Sequence, residues 1–359
     1  MKPHEITKNR SQGRFHAFQG IFAACGEGSR DMKKNKKSRS VDLVPVDNAD
    51  SELFNFERPE EKQYLAYLPA LFTTASLPFR NVNKTVFERK GSNGISLKLT
   101  SPTNVPFGRY GRLLLSVLTT HAVLEKNKQG PVLLEYTKLV DLLNEMQLPK
   151  ARGKDIKEQL ECFSNAAFSF TQKVTELKSA YLFEDLYEKG EYPKQDILVT
   201  THSTGNIRFT EGVQYKEADD GTGNKKSFAF KIILSPEFAA FCKNHAVPIN
   251  YTVYKSISSA IGKDIYAWLV YRNNKLSEPV FIPRHKLVEQ FNPVDDAKND
   301  NQENVSYFRI IENIKDIKEK YYPELKVNFD KNGEGITLYK SPAPILAKDT
   351  RYALITSDI

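Results

Sequence analysis

Cysteine is scarce in this chain: three in 359 residues, at positions 25, 162 and 242, with no Cys-x-x-Cys pair. An odd, widely spaced set excludes a disulfide framework and a paired-cysteine zinc site, and it suits a reducing compartment. Histidine is placed just as sparsely. His4, His16, His121, His202, His245 and His285 never stand two or four positions apart. That removes the His-x-His cluster of strand-nicking enzymes and the helical zinc pattern. Long apolar runs are missing as well. The longest candidate, Leu113 to Leu118, stops at Thr119, Thr120 and His121, well short of the about eighteen residues a membrane span needs. Met1-Lys2-Pro3-His4 leads into no apolar signal core, so the expectation is a cytoplasmic protein with no membrane partner.

Catalytic patterns are absent too. Gly221-Thr222-Gly223-Asn224-Lys225-Lys226-Ser227 lacks the spacing of a phosphate-binding loop and reads as a turn. No Gly-x-Ser-x-Gly elbow occurs, and no cysteine has a partner histidine in a recognisable context. Asp219-Asp220 and Asp295-Asp296 read as solvated turn pairs, and His121, inside an apolar helix, reads as a core histidine. The expectation is a protein that is not an enzyme and uses no metal or cofactor.

Positive charge is in excess, and it is unevenly placed. The net charge is +8, yet residues 1–40 alone hold ten Lys or Arg against three Asp or Glu, densest at Lys33-Lys34-Asn35-Lys36-Lys37-Ser38-Arg39. The remainder holds 42 basic and 41 acidic groups. Residues 1–62 are therefore expected to be a disordered basic tail, either simply solvated or an arm adding non-specific phosphate contacts. In the folded part, the position of charge matters more than its sum. Forty per cent apolar residues over this length fit two globular domains.

Periodicity supplies the elements. Phe87 to Lys90 and Ile95 to Leu99 flank Gly91-Ser92-Asn93-Gly94, a hairpin signature. Pro106-Phe107-Gly108 opens a buried helix reaching about Lys126, Leu139 to Met146 gives a shorter one, and a third runs from Lys154 to Asn165. Ile156, Leu160 and Phe163 form the inner stripe of that third helix. Strand-like runs follow at 167–170, 197–200 and 228–234, the last two separated by a polar tip from Asp219 to Lys226. The order then recurs: a long helix from Ser258 to Leu276, a short one from Pro283 to Phe291, and a third from Asn304 to Tyr322. In that third helix Ile310, Ile314, Ile317 and Tyr321 face inward. A hairpin around Asp330-Lys331-Asn332-Gly333 closes the series. Helix, helix, helix and hairpin is the order of a winged helix. The expected fold is α+β: two consecutive winged-helix domains, 63–240 (with an N-terminal hairpin extension) and 241–345, between the basic tail 1–62 and a C-terminal tail 346–359.

A duplex reader needs an exposed helix bearing cations and amide or hydroxyl groups, flanked by cationic clamps. In the first unit Lys150, Arg152, Lys154 and Lys157 cluster where the third helix begins; in the second, Ser306, Tyr307, Arg309, Asn313 and Lys320 occupy the third helix. Lys225, Lys226 and Lys331 sit at hairpin tips, where wings meet phosphates. Glu158, Glu161, Glu312, Asp316 and Glu319 share these surfaces, so ordinary solvated faces are the competing reading.

Leu77-Pro78-Phe79-Arg80, Phe87-Glu88-Arg89-Lys90, Ile95-Ser96-Leu97-Lys98-Leu99 and Val105-Pro106-Phe107-Gly108-Arg109-Tyr110-Gly111-Arg112-Leu113-Leu114-Leu115, with Thr119-Thr120-His121-Ala122-Val123, resemble the plasmid-encoded RepA replication initiators. Phe107 and His121 stand where that family usually has tyrosine and an acidic residue. The resemblance covers about residues 76–170; in outline the C-terminal half is similar to the second winged helix of iteron-binding initiators, with Leu234-Ser235-Pro236-Glu237-Phe238 at its start. It implies a bacterial protein that binds repeated double-stranded sequences (iterons) at a plasmid origin and opens an adjacent AT-rich region. It also implies a host initiator and a replicative helicase as partners, and a homodimer in reserve. A transcriptional regulator or autorepressor on the same scaffold is the alternative; a nicking endonuclease or primase is further off.

Overall fold

The computed structural model describes residues 63–91, 94–125, 131–180, 195–219, 225–291, 300–344 and 352–354. The expected basic tail 1–62, residues 220–224 of the expected polar tip, and residues 292–299 before the expected third helix lie outside the described residues. Strand β1 (Gln63–Pro69) runs into a short helix, α1 (Ala70–Thr74), and then the hairpin β2 (Val86–Lys90) and β3 (Ile95–Thr100). Next come α2 (Gly108–Leu124), β4 (Val132–Tyr136), α3 (Leu139–Glu145) and α4 (Gly153–Asn165), the last led in by a 3-10 turn at Lys150–Arg152. Four strands follow: β5 (Ala167–Ala180), β6 (Gln195–Arg208), β7 (Thr210–Asp219) and β8 (Lys225–Leu234). Then α5 (Pro236–His245), β9 (Ala246–Asn250) and α6 (Tyr251–Ser256) lead to α7 (Ala260–Lys275) and β10 (Val280–Pro283). Helices α8 (Arg284–Phe291) and α9 (Asp300–Lys320), the hairpin β11 (Val327–Phe329) and β12 (Gly335–Leu338), and finally β13 (Tyr352–Leu354) complete the chain.

The fold is mixed helix and sheet, and one arrangement occurs twice. In the first half α2, β4, α3, α4, β7 and β8 follow one another around a sheet of order β4-β8-β7. In the second, α7, β10, α8, α9, β11 and β12 do the same around a sheet of order β10-β12-β11. Each time the strand between the first two helices pairs with the last strand of the hairpin. The first half carries an insertion: β5 and β6 leave α4 as a long antiparallel pair and join the early hairpin in a sheet of order β2-β3-β5-β6.

Several elements were not expected. Between the first two helices, where no strand is expected, Val132, Leu134 and Tyr136 turn inward in β4. Strand β7 was not expected at all, although it pairs along most of β8. The boundary expected at 240/241 falls inside α5, and β1 pairs across it with β9. Within the expected C-terminal tail, Tyr352–Leu354 lies parallel to Gln63–Leu65. Gln63–Ile359 forms one compact unit. No helix among the described residues is long and apolar enough to cross a membrane.

Packing explains why the two halves hold together. Helix α2 is buried from Gly111 to Thr120 and packs on β1, α4, α5 and α7. Phe209 lies 4.9 Å from both Phe163 of α4 and Phe168 of β5, and Phe168 also meets Phe72 of α1 at 5.2 Å. Such pairs add about 0.5–1.5 kcal/mol each beyond the area they bury. Polar residues of α2 do the joining. The Thr120 hydroxyl accepts the Tyr67 amide of β1 at 3.0 Å and donates to the Ser116 carbonyl at 2.6 Å. His121 is not sealed in the core: its side chain is about a quarter exposed and its Nε2 pairs at 2.6 Å with the buried carboxylate of Glu145. The Tyr136 hydroxyl donates to the other Glu145 oxygen at 2.6 Å.

The buried guanidinium of Arg112 links α2 to α7. Nε and Nη2 donate to the Asp264 carboxylate at 2.6 and 2.7 Å. Nη1 donates to the carbonyls of Pro78 at 3.0 Å and Gly108 at 2.8 Å, and Nη2 to that of Leu77 at 2.6 Å. Each N–H of the fork has an acceptor, which is the condition for burying this group without an orphan donor. Gly108 makes this possible with φ +68°, a backbone shape that disfavours side chains. The Leu77-Pro78 and Gly108-to-Arg112 motifs are thus one structural device, and Asp264 puts α7 on it.

Candidate nucleic-acid interface

Helix α4 is positioned by its inner stripe. Ile156, Leu160 and Phe163 are buried as expected, with Cys162 and Gln159 beside them. The Gln159 side-chain oxygen accepts the Phe107 amide at 3.0 Å, so the start of α2 fixes the outer helix. Lys150, Arg152, Lys154 and Lys157 are all exposed. They are held more firmly than a loop would hold them, because Lys150 and Arg152 lie in the 3-10 turn that runs into α4. Arg152 also approaches Asp155 at 3.6 Å, with its Cζ 5.9 Å from the Tyr110 ring. Glu158 and Glu161 are exposed further along. The outer face is therefore cationic at its N-terminal end and acidic beyond, and the dipole adds positive potential at the same end.

Helix α9 is amphipathic too, but its charges are mixed: exposed Arg309, Lys315 and Lys320 alternate with exposed Glu312, Asp316 and Glu319. Ile310, Ile314 and Ile317 are buried as expected, but Tyr322 rather than Tyr321 is the buried tyrosine. The Tyr322 hydroxyl donates to the Pro342 carbonyl at 2.6 Å and accepts from Asn273 at 2.9 Å. Two expected readers are not on the outer face. Ser306 and Tyr307 are 2% and 4% exposed, because they precede Ile310 by four and three positions and so share its stripe. The Tyr307 hydroxyl donates to the Gly335 carbonyl at 3.3 Å, its ring lies 4.9 Å from the Arg284 guanidinium, and burial raises its pKa. Asn313 is half-buried and structural: its amide donates to the Arg309 carbonyl at 2.7 Å, and its oxygen accepts from Ser259, the N-cap of α7, at 3.2 Å.

Arg309 and Lys320 remain outside, Lys320 paired with Asp316. Lys331 is exposed on the β11–β12 turn, where the Asp330 carboxylate accepts the amides of Asn332 and Glu334 at 2.9 and 3.2 Å. Lys225 and Lys226 open β8 opposite Asp219 and Ala218, and their side chains lie outside what is described. Val305 and Phe308, not among the expected readers, occupy the outer face of α9 where Ser306 was expected. One position of helical phase, readable from the isoleucine stripe, separates the two sets.

Replacing Asn313 with alanine is expected to lower stability by about 1 kcal/mol, the usual loss for a side-chain hydrogen-bond anchor. Duplex affinity should stay within about twofold, since a residue facing α7 makes no groove contact. Urea unfolding and fluorescence anisotropy on the same variant check both halves; a large affinity loss at unchanged stability would put Asn313 back among the readers.

Among the described residues no group of His, Cys, Asp and Glu could hold a metal ion. Cys162 and Cys242 are free and buried, and burial raises both thiols, Cys162 to about 11, so neither is a ready nucleophile.

No known protein family and no curated protein matches the chain. Among solved structures, it is similar to a selenomethionine derivative of domains 2 and 3 of RctB, with TM-score 0.43 and 13% identity over 75% of this chain and 96% of that one. A second structure of RctB domains 2–3 matches with TM-score 0.36 and 13% identity, covering 74% and 92%.

Proposed function

We propose that this chain is a replication initiator that binds specific duplex DNA through its two repeated units, each a winged helix reading the major groove. The observation that carries the DNA reading is the twice-used arrangement, with α4 and α9 in equivalent places. Both helices are amphipathic with a buried apolar stripe; α4 places its exposed cations at its N-terminal end with Glu158 and Glu161 beyond, and α9 presents exposed Arg309 beside exposed Val305 and Phe308. A helix that enters a groove by its N-terminal half meets bases and phosphates there, and the acidic end of α4 stays clear of the backbone. Lys150, Arg152, Lys154 and Lys157 serve the first unit; Arg309 and Lys331 serve the second, with Lys320 peripheral because it is occupied by Asp316.

The resemblance over residues 76–170 favours an initiator over a regulator. On this reading the DNA holds repeated sites at a plasmid origin, the protein opens a neighbouring AT-rich segment, and a host initiator and replicative helicase join the complex. Two readers in one unit raise each other's effective concentration on adjacent sites, and the resulting binding energy can deform the duplex without a covalent step. An autorepressor needs the same readers, so binding alone does not separate the two. Permanganate probing of a supercoiled plasmid carrying the DNA beside the gene does. Reactive thymines next to the protected sites are expected for an initiator; protection over a promoter with no reactive thymines would leave the regulator.

A further inference from the structure

Val305 and Phe308, one turn apart on α9, are 62% and 63% exposed, the most exposed large apolar side chains among the described residues. They contribute nothing to the core, since Tyr307, Ile310, Ile311, Ile314 and Ile317 fill the opposite side of the helix. Exposed Arg309 follows directly, and further along the outer surface Glu312, Asp316 and Glu319 alternate with Lys315 and Lys320. The apolar pair sits beside this arginine in the N-terminal half of α9, the helix that the proposed function sends into the groove.

We propose that Val305 and Phe308 read thymine through its C5 methyl group, while Arg309 donates to O6 and N7 of a guanine on a neighbouring base pair. The inference rests on the reading of α9 as the groove helix and adds its base preference. In the major groove only thymine presents a methyl group, and apolar side chains discriminate by packing on it; arginine is matched to the two acceptors of guanine. Spacing agrees. Four residues of helix rise about 6 Å, less than two base-pair steps, so methyl and guanine contacts fall on adjacent or next-adjacent pairs. A groove fits this surface better than a second copy of the chain does. The exposed apolar residues are two neighbours on one helix with the Arg309 charge beside them, and two side chains fall far short of the roughly 800 Å² per partner of a standard protein interface.

The test uses the full chain and a duplex selected from random sequence, with each thymine replaced in turn by uracil, which lacks the methyl. Anisotropy titrations at fixed salt are expected to show a loss of about three- to fivefold at one or two positions, the usual effect of removing one packed methyl. Phe308→Ala should bind thymine and uracil duplexes equally at one of those positions, and because Phe308 is exposed its circular dichroism should match the parent's. If no uracil matters while Arg309→Ala still weakens binding, the thymine reading is overturned and the groove helix stands. If neither change matters, both fall. If sedimentation shows a dimer that Phe308→Ala dissolves while uracil discrimination persists, the ridge is an interface between copies and the inference is wrong.

Discussion

Substituting Arg112 with methionine is expected to cost about 3–5 kcal/mol, the range for removing one partner of a buried ion pair. The loss has two parts. Asp264 would lose the guanidinium paired with its charge inside the protein, and the carbonyls of Leu77, Pro78 and Gly108 would lose its N–H groups, Pro78 keeping the Gly108 amide at 2.9 Å. Lysine should rescue little, because one ammonium with three donors cannot replace a planar fork that reaches three carbonyls and a carboxylate. The double variant Arg112→Met with Asp264→Leu should recover part of the loss by removing the orphaned charge. Urea unfolding of the single and double variants forms the cycle. A cost below about 1 kcal/mol for Arg112→Met would mean that something other than this guanidinium joins α2 to α7.

Stability should rise as pH increases from about 7 toward 10.5, and Lys263 should be a main reason. This lysine is fully buried and donates to the carbonyls of Tyr254 and, at 3.2 Å, Lys255, at the end of α6. Burial first, then Arg112 and Arg109, push its pKa down from 10.5 to about 7, against a smaller opposing pull from Asp264; Lys255 adds to the repulsion. The direction follows. Between about 7 and 10.5 the unfolded chain holds a proton that the folded chain has released, so raising pH favours the fold. Below about 7 both states are charged and the full cost of burying the ammonium is present. Across the window the gain is on the order of a few kcal/mol. Methionine at this position removes the slope, although it also leaves two carbonyls without their donor, so the slope and not the absolute stability is the readout. Unfolding midpoints between pH 6.5 and 9.5 should therefore converge or cross for parent and Lys263→Met. Parallel curves would mean that the ammonium reaches water.

What could be read in the sequence depends on how local the cause is. The stripes Ile156-Leu160-Phe163 and Ile310-Ile314-Ile317 repeat within single helices, so α4 and α9 and their inward faces were legible. Applied one residue further, the same stripe puts Ser306 and Tyr307 inside and Val305 and Phe308 outside; polarity, a weaker cue than phase, had pointed the other way. Helix α5 also had a local signal, since Ser235 caps the Phe238 amide at 3.0 Å with Pro236 in the first turn. Strand β4 is five residues of alternation beside Gly130-Pro131, too short to stand out. Distant pairings left no local trace. Arg112 meets Asp264 across 152 positions, and β1, at the start of the unit, meets β9 near its middle and β13 near its end.

The two-reader account is tested most directly by hydroxyl-radical footprinting of the full chain on a duplex selected from random sequence. The expected result is two protected patches about one helical turn apart on one face of the duplex, the first erased by Lys154→Ala with Lys157→Ala and the second by Arg309→Ala. A single patch, or protection that fades steeply with salt and ignores both sets of substitutions, would contradict it and assign the binding to the basic residues at positions 1–40 instead.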